Sequence, residues 1–322
     1  MDNVKIDMAF KEDNIKIGSR DSELAVKQAQ QVMELITRPT ELITMKTTGD
    51  MVLDKTLDKV GGKGLFVKEL DQALIDKRVD FTVHSLKDVP MDLPKELPLL
   101  AFPVREDVRD VLVLPKGTTE HDLTKPIGCS SARRRIQLKR LFPHTEIKPI
   151  RGNLLTRLNK LDNSGEFGAL VLAAAGLHRL GLKDRISRYF TIEEILPAAG
   201  QGILALQGRN NYQPGWLERV DHPEIHSCAI AERTFVRAMG GGCFAPIAAY
   251  ARIEHDLSIL LCAMYAIEEK NYVCYASSSA PFGEAEELGK RVAKDMLCML
   301  NDAGMVIPND TDAQDEDIQE NQ

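Results

Sequence analysis

Apolar positions along the chain repeat with two alternating periods. Residues 14–18 alternate polar and apolar, the two-residue period of a strand. Ser19, Asp21 or Ser22 then offers a helix N-cap, ahead of Ala25, Ala29, Val32, Met33 and Ile36 at helical spacing. A second strand is predicted over 42–46 and a third over 79–83. Between them lies a helix over 64–76, with Leu65, Leu70, Ala73 and Leu74 inward. His84-Ser85-Leu86-Lys87-Asp88-Val89-Pro90 reads as a strand-end loop, because Pro90 has no N–H and biases Val89 toward extended geometry.

The alternation then restarts. Strands are predicted over 111–114, 127–128, 146–150 and 169–173, with helices over 131–141 and 153–161 and another through Leu180. Two rounds of β/α alternation predict two α/β domains, with ligands bound in crevices at strand ends. From about residue 225 the texture changes. A helix over 226–239 precedes strand-like runs at 247–253, 257–266 and 272–278. A last helix over 283–301 carries Leu288, Val292, Met296 and Leu300 at steps of four. This predicts a third, α+β domain. The sequence has no internal repeat.

The length of 322 residues agrees with more than one core. No apolar run approaches the ~20 residues of a membrane span, and no basic region followed by an apolar run predicts a secretory leader. A cytoplasmic, soluble protein is expected, with no membrane partner. The formal charge of −7 argues weakly against nucleic-acid binding. That charge is unevenly spread. Asp310, Asp312, Asp315, Glu316, Asp317 and Glu320 sit in a terminal stretch with no Lys or Arg, a tail expected to be disordered, and the rest is near neutral. Within that remainder, residues 127–157 hold eight basic side chains against Glu146 alone. Six cysteines show no CxxC spacing and read as reduced thiols. His222, His226 and Cys228 lie close together, but no fourth ligand is evident and no metal is expected.

Four features carry candidate chemistry. Ser130-Ser131-Ala132-Arg133-Arg134-Arg135 opens a predicted helix, where free N–H groups, hydroxyls and guanidinium groups suit a carboxylate or phosphate; a solvated charged face is the alternative. Arg151 and Arg157 repeat the arrangement at the next strand-to-helix junction, and Arg20 and Arg179 add to it. Lys87-Asp88 is either a surface pair or the acid of a basic crevice. Gly61-Gly62-Lys63-Gly64 with Phe66 is not a Walker loop; it is a plain turn or a mobile lid. Gly240-Gly241-Gly242-Cys243 sets a cysteine on a permissive loop. That thiol suits covalent attachment, or a nucleophile with His84 or His226 as base. Gly200-Gln201-Gly202 is a tight turn where the chain crosses between domains.

In this order, these motifs resemble the hydroxymethylbilane synthase (porphobilinogen deaminase) family, from Ile15 to about Asp302. The resemblance runs through Gly18-Ser19-Arg20 with Ser22, Val83 to Pro90, Arg105-Glu106-Asp107 with Arg109-Asp110, Arg151-Gly152-Asn153 and Gly241-Gly242-Cys243. It implies an α/β fold: two periplasmic-binding-protein-like α/β domains with a crevice between them, plus a smaller C-terminal α+β domain. The implied boundaries are 13–105 with 203–220, 106–200, and 225–306, followed by the acidic tail 307–322. It also implies a monomer and a dipyrromethane cofactor in thioether linkage to Cys243. On that primer, four molecules of porphobilinogen would add head to tail with loss of ammonia, and hydrolysis would release hydroxymethylbilane.

By the same resemblance, Lys87, Ser131, Arg133 and Arg134 hold cofactor carboxylates. Arg20, Ser22, Arg151, Arg157, Arg179 and Gln201 bind substrate and the growing chain. Asp88 contacts pyrrole N–H groups, stabilises cationic intermediates and acts in catalysis. Gly61, Gly62, Lys63, Gly64 and Phe66 form the lid. Cys129, Ala132, Gln207-Gly208, Gly240 and Phe244-Ala245 depart from the family's usual residues. The chemistry alone leaves two other readings: a non-catalytic bilobal polycarboxylate-binding protein, and a cysteine hydrolase built on Cys243.

Overall fold

The structure is a computed structural model and describes residues 14–47, 67–241 and 246–305. Among them are two five-stranded mixed sheets and one three-stranded antiparallel sheet. The first sheet contains β1 (Ile15–Arg20), β2 (Thr40–Met45), β3 (Phe81–Ser85), β4 (Leu99–Ala101) and β10 (Leu204–Gly208), in the order β2-β1-β3-β10-β4. The second contains β5 (Asp110–Val113), β6 (Ile127–Gly128), β7 (Ile147–Lys148), β8 (Ala169–Ala173) and β9 (Arg188–Tyr189), in the order β7-β6-β8-β5-β9.

The two sheets share one plan. Three parallel strands are followed by an antiparallel one, β10 in the first sheet and β5 in the second. Each antiparallel strand follows a crossing from the other sheet. The register therefore sets the start of β10 beside the end of β3 (Leu204 opposite Ser85) and the start of β5 beside the end of β8 (Asp110 opposite Ala173). The residues around these starts thus join the loops at the carboxyl ends of the parallel strands.

The helices form for local reasons. Ser22 is extended and its hydroxyl accepts from Ala25 N at 3.4 Å, capping the helix Glu23–Met33. Of the three candidate caps, it is the one used. Ala25, Ala29 and Val32 then bury one face against β1 and β3. Pro223 starts the helix Pro223–Ala238 at its first turn, three residues before the sequence expectation, because a missing N–H costs nothing there.

β3 lies two residues further on than predicted. Lys77 takes a left-handed turn (φ 57°), and Asp80 N then donates to Lys16 O before pairing with β1 begins. The expected loop after it holds a 3-10 turn, Leu86–Asp88. β4, β9, β10 and the short helix Leu217–Val220 had no counterpart in the pattern. β10 is buried along its whole length, so it shows no polar alternation.

β11 (Ile247–Ile253), β12 (Ser258–Ile267) and β13 (Tyr272–Pro281) form the third sheet. Pro223–Ala238 and the helix Ala285–Asp302 pack together and against it, through Phe235, Leu288, Val292, Met296 and Leu300. Full burial of each such side chain is worth roughly 1.5–3 kcal/mol. Ala248, Met264 and Ala266 meet Ile136 and Leu196, joining this unit to the second sheet's side. Ala229 meets Leu86, Phe102 and Ile203 on the first.

Candidate functional site

The site is built from strand ends. Arg20 closes β1; Lys87 and Asp88 lie on the turn after β3; Ser131, Arg133 and Arg134 open the helix Ala132–Leu141 after β6. Arg157 lies in the helix Leu154–Asn163, just after Arg151, and Arg179 ends the helix Ala174–Arg179 after β8. Chain crossings connect the two halves. Gly200 (φ +72°) and Gly202 (φ +85°) take conformations that L side chains rarely adopt. A Cβ on Gly200 would also come within 2.7 Å of Leu86 Cγ, and one on Gly202 within 2.4 Å of Glu106 O.

Between those glycines, Gln201 is fully buried. Its amide Nε2 donates to Val108 O at 2.7 Å and to Asp110 Oδ1 at 2.9 Å. Its Oε1 accepts from Lys87 Nζ at 3.4 Å. Asp110 is also fully buried. Arg133 Nη2 lies 2.8 Å from its Oδ2, and Arg134 Nη2 lies 2.7 Å from its Oδ1. Burial pushes the Asp110 carboxyl up, but Arg133, Arg134 and the Gln201 hydrogen bond outweigh it and hold the carboxyl well below the usual range.

Both guanidinium groups are oriented by protein acceptors. Arg133 is committed to Asp110 and, at 2.6 Å, to Leu196 O. Arg134 is committed to Asp110 and Val171 O. These bonds do not use every donor. Arg134 Nε is buried and has no hydrogen-bond partner among the described residues. Ser131 caps the helix, its hydroxyl accepting from Arg134 N at 3.4 Å.

The surrounding cations are crowded by protein and by one another. Lys87 is half-buried and crowded by protein. Burial, then Arg134, push its amine down to about 8, against the pull of Asp88 and Asp110. Burial, then Arg134 and more weakly Arg151, also pull Arg157 down. Burial takes Arg179 to about 10, where its guanidinium donates to Gly202 O at 2.8 Å. Cations that depress one another, as Arg134 does Lys87 and Arg157, are stabilised when an anion binds among them.

Asp88 is exposed. It lines a pocket with Arg20, Ala25, Gln28, Val67, Val83, His84 and Ser85. Ser22 lies two residues beyond Arg20, committed to its cap. Lys87 and Asp88, together with Arg133, Arg134, Arg151 and Arg157, feel one another's charge. Gly61, Gly62, Lys63, Gly64, Phe66 and Cys243 lie outside the described residues, as do Phe244, Ala245 and the acidic tail.

Three groups near this site were given no role from sequence. Asp110 could have been noticed as an acid opening an otherwise apolar strand, Val-Leu-Val. Glu232, fully buried, accepts from Gly200 N at 2.6 Å and Ala251 N at 2.7 Å and pairs with Arg105 at 2.7 Å. It ties the crossing to the third sheet. Arg105 Nε also donates to Gln201 O at 2.9 Å.

The hydrolase reading fares poorly on its bases. Burial pulls His84 down to about 4, and His226 is held by Asp221 at 2.8 Å. His222 precedes its helix and Cys228 is buried within it. Among the described residues, no group of three or more His, Cys, Asp or Glu side chains could hold a metal.

Comparison with known proteins gives this geometry a lineage. Residues 15–214 match the family model described as porphobilinogen deaminase, dipyromethane cofactor binding domain. Residues 226–298 match porphobilinogen deaminase, C-terminal domain. The porphobilinogen deaminase of Alkaliphilus oremlandii is 52% identical over 287 residues, covering 88% of this chain and 96% of its own. That of Ruminiclostridium cellulolyticum is 53% identical over 290 residues, covering 88% and 97%. Among solved structures, a Salmonella typhimurium periplasmic binding protein of high arginine specificity aligns at a TM-score of 0.34. It is 14% identical, covers 65% of this chain and 90% of its own, and is too distant to carry an argument. The two family models together span both β/α regions and the C-terminal sheet, and the chain belongs to the porphobilinogen deaminase family.

Proposed function

We propose that this chain is a hydroxymethylbilane synthase. It joins four porphobilinogen molecules head to tail, with loss of ammonia at each step, on a dipyrromethane primer, and releases linear hydroxymethylbilane by hydrolysis. Family membership supports the activity and the cofactor. The residue roles rest on the crevice. Lys87 and Arg157 gather around Arg134, whose Nε has no hydrogen-bond partner among the described residues. This is the observation that carries the reading, because pyrroles bearing acetate and propionate groups supply carboxylates to such a cluster.

The residues present fit the cofactor. When bound, dipyrromethane supplies the free pyrrole carbon on which chain growth starts. Arg134, through Nε, with Lys87 and the Ser131 hydroxyl, would hold its carboxylates. Arg133 would share that role, with Asp110 orienting both guanidinium groups. Cys243 would carry the thioether. Arg20, Ser22, Arg151, Arg157 and Arg179 would receive the carboxylates of incoming substrate, and Gln201 would orient Lys87 toward them.

Asp88 is the carboxylate at the reacting centre. It would accept from pyrrole N–H groups, offset the positive charge that develops as ammonia leaves, and take up the proton released when the rings join. The segment with Gly61, Gly62, Lys63, Gly64 and Phe66 would cover the site during turnover. The units 13–105 with 203–220, 106–200 and 225–306 act as three domains, and the chain works as a monomer in the cytoplasm.

The test is direct. The purified full chain is given porphobilinogen, and ammonia and oxidised porphyrin are measured. One ammonia per porphobilinogen consumed, with a tetrapyrrole product, is expected. Tight binding of porphobilinogen without either product would overturn the enzymatic reading and favour a non-catalytic binding protein.

A further inference from the structure

Behind the Asp88 pocket lies a buried polar row that the mechanism above does not use. Thr82, His84 and Gln207 stand on neighbouring strands β3 and β10, all buried, where a fully apolar strand pair would serve packing as well. Gln207 Nε2 donates to Leu97 O at 3.0 Å, which orients the amide and leaves Oε1 facing Thr82. Thr82 Oγ1 lies 3.4 Å from that Oε1 and 2.8 Å from His84 Nε2.

The single hydroxyl proton decides the row. Gln207 Oε1 is only an acceptor, so Thr82 donates to it. The Thr82 oxygen then accepts, and His84 Nε2 must carry the proton. If Nε2 were bare, two acceptors would compete for one proton, and one buried group would go unsatisfied. The His84 ring is therefore held as the Nε2–H tautomer, with a lone pair on Nδ1. No described residue donates a hydrogen bond to Nδ1, and His84 is among the residues lining the pocket with Arg20 and Asp88.

We propose that His84 is a neutral hydrogen-bond acceptor in the substrate pocket, its Nδ1 receiving an N–H of the bound pyrrole beside Asp88. This rests on the function proposed above. The donor is a ring N–H or the aminomethyl nitrogen of porphobilinogen. Neutrality has two causes on the page. Burial keeps His84 uncharged down to about pH 4; hydrogen bonding with Gln207 opposes it, and the Arg20 charge adds a smaller push in the same direction as burial. The other charged groups nearby are Asp88, on the pocket wall, and Asp71, which meets Gln207 from the helix Lys68–Ile75. A neutral acceptor complements Asp88. It takes an N–H without adding a second negative charge that would compete for the arginines.

The test uses the full-length holoenzyme with 15N-labelled histidine, recorded near pH 7 by long-range proton–nitrogen correlation. His84 is assigned by loss of its signals in His84→Gln. A protonated Nε2 and a bare Nδ1 are expected in the free enzyme. Two ligands are then added separately: porphobilinogen, and the corresponding pyrrole without its aminomethyl group. A shift of Nδ1 toward the hydrogen-bonded range with both supports the ring N–H as donor. A shift with porphobilinogen alone supports the aminomethyl nitrogen. An Nδ1–H tautomer, an imidazolium, or an Nδ1 signal unmoved by either ligand would overturn the proposal. The wild-type turnover assay separates that outcome from failure of the proposed function. In the same assay His84→Leu should raise KM by roughly 2- to 10-fold, the usual worth of one hydrogen bond.

Discussion

Gln201 Nε2 donates to Asp110 Oδ1 at 2.9 Å, linking the crossing turn to the buried carboxylate that holds Arg133 and Arg134. The cation pair, the turn and Lys87 are thus one assembly centred on Asp110. Asp110→Asn should destabilise the protein by about 3–5 kcal/mol, since it leaves two buried guanidinium groups uncompensated. Urea unfolding at neutral pH measures this. A loss under 1 kcal/mol would mean that the arginines find other partners. The pH dependence has a definite sign. The folded carboxyl titrates below its unfolded value of about 4, so its stabilisation is present above that pH and fades as pH falls below it. Asp110→Asn should lack that acid-side loss.

Lys87 gives an alkaline signature. In the chain without bound carboxylate its amine titrates near 8, so its positive charge is lost as pH rises through that value. Affinity for a pyrrole carboxylate should weaken over the same interval. Lys87→Arg, charged throughout, should move that limb upward. Isothermal titration from pH 7 to 9.5 reads it, and identical limbs in both proteins would remove Lys87 from the carboxylate site.

Much of this organisation is legible in the sequence, and the limits are physical. Periodicity finds the core elements because Ala25, Ala29 and Val32, or Leu288, Val292 and Met296, repeat at the spacing that buries one face. It misses β10, whose residues are buried on both sides and whose Gln207 looks like a surface residue until Thr82 and Leu97 surround it. The charge pattern marks Arg133 and Arg134 but not what holds them. Asp110 meets them only through a strand pairing set by the whole fold, and Gln201 only where the chain crosses back. Glu232 reads as one acid on an amphipathic helix, and only tertiary contacts reveal three groups converging on it.

His84 should make stability pH-dependent in the mildly acidic range. Its folded value near 4 lies below the unfolded value of about 6.5, so the neutral ring stabilises the fold fully above 6.5. That contribution is lost progressively as pH falls to 4. The total is about 3 kcal/mol. Chemical denaturation at pH 7, 5.5 and 4.5 should show this slope in the wild type and a flatter one in His84→Leu. Parallel slopes would assign the acid sensitivity elsewhere.

Asp88 is exposed at the pocket, so Asp88→Asn should change stability by less than about 1 kcal/mol. Turnover should fall by roughly 10²–10⁴-fold, the range for a lost acid–base group. Rates measured on cofactor-loaded protein, with a parallel melting curve, separate the two effects. An active, loaded Asp88→Asn enzyme would move the proton chemistry to another group.

The central claim is that the chain builds its product on a dipyrromethane held by Cys243. Intact-protein mass spectrometry of the active full-length protein tests it most directly. The account predicts a mass above the 35.8 kDa of the polypeptide by one covalent dipyrromethane, with the increment and activity both lost in Cys243→Ser. An active protein at the bare polypeptide mass, or a Cys243→Ser protein that keeps the increment and full activity, would contradict it.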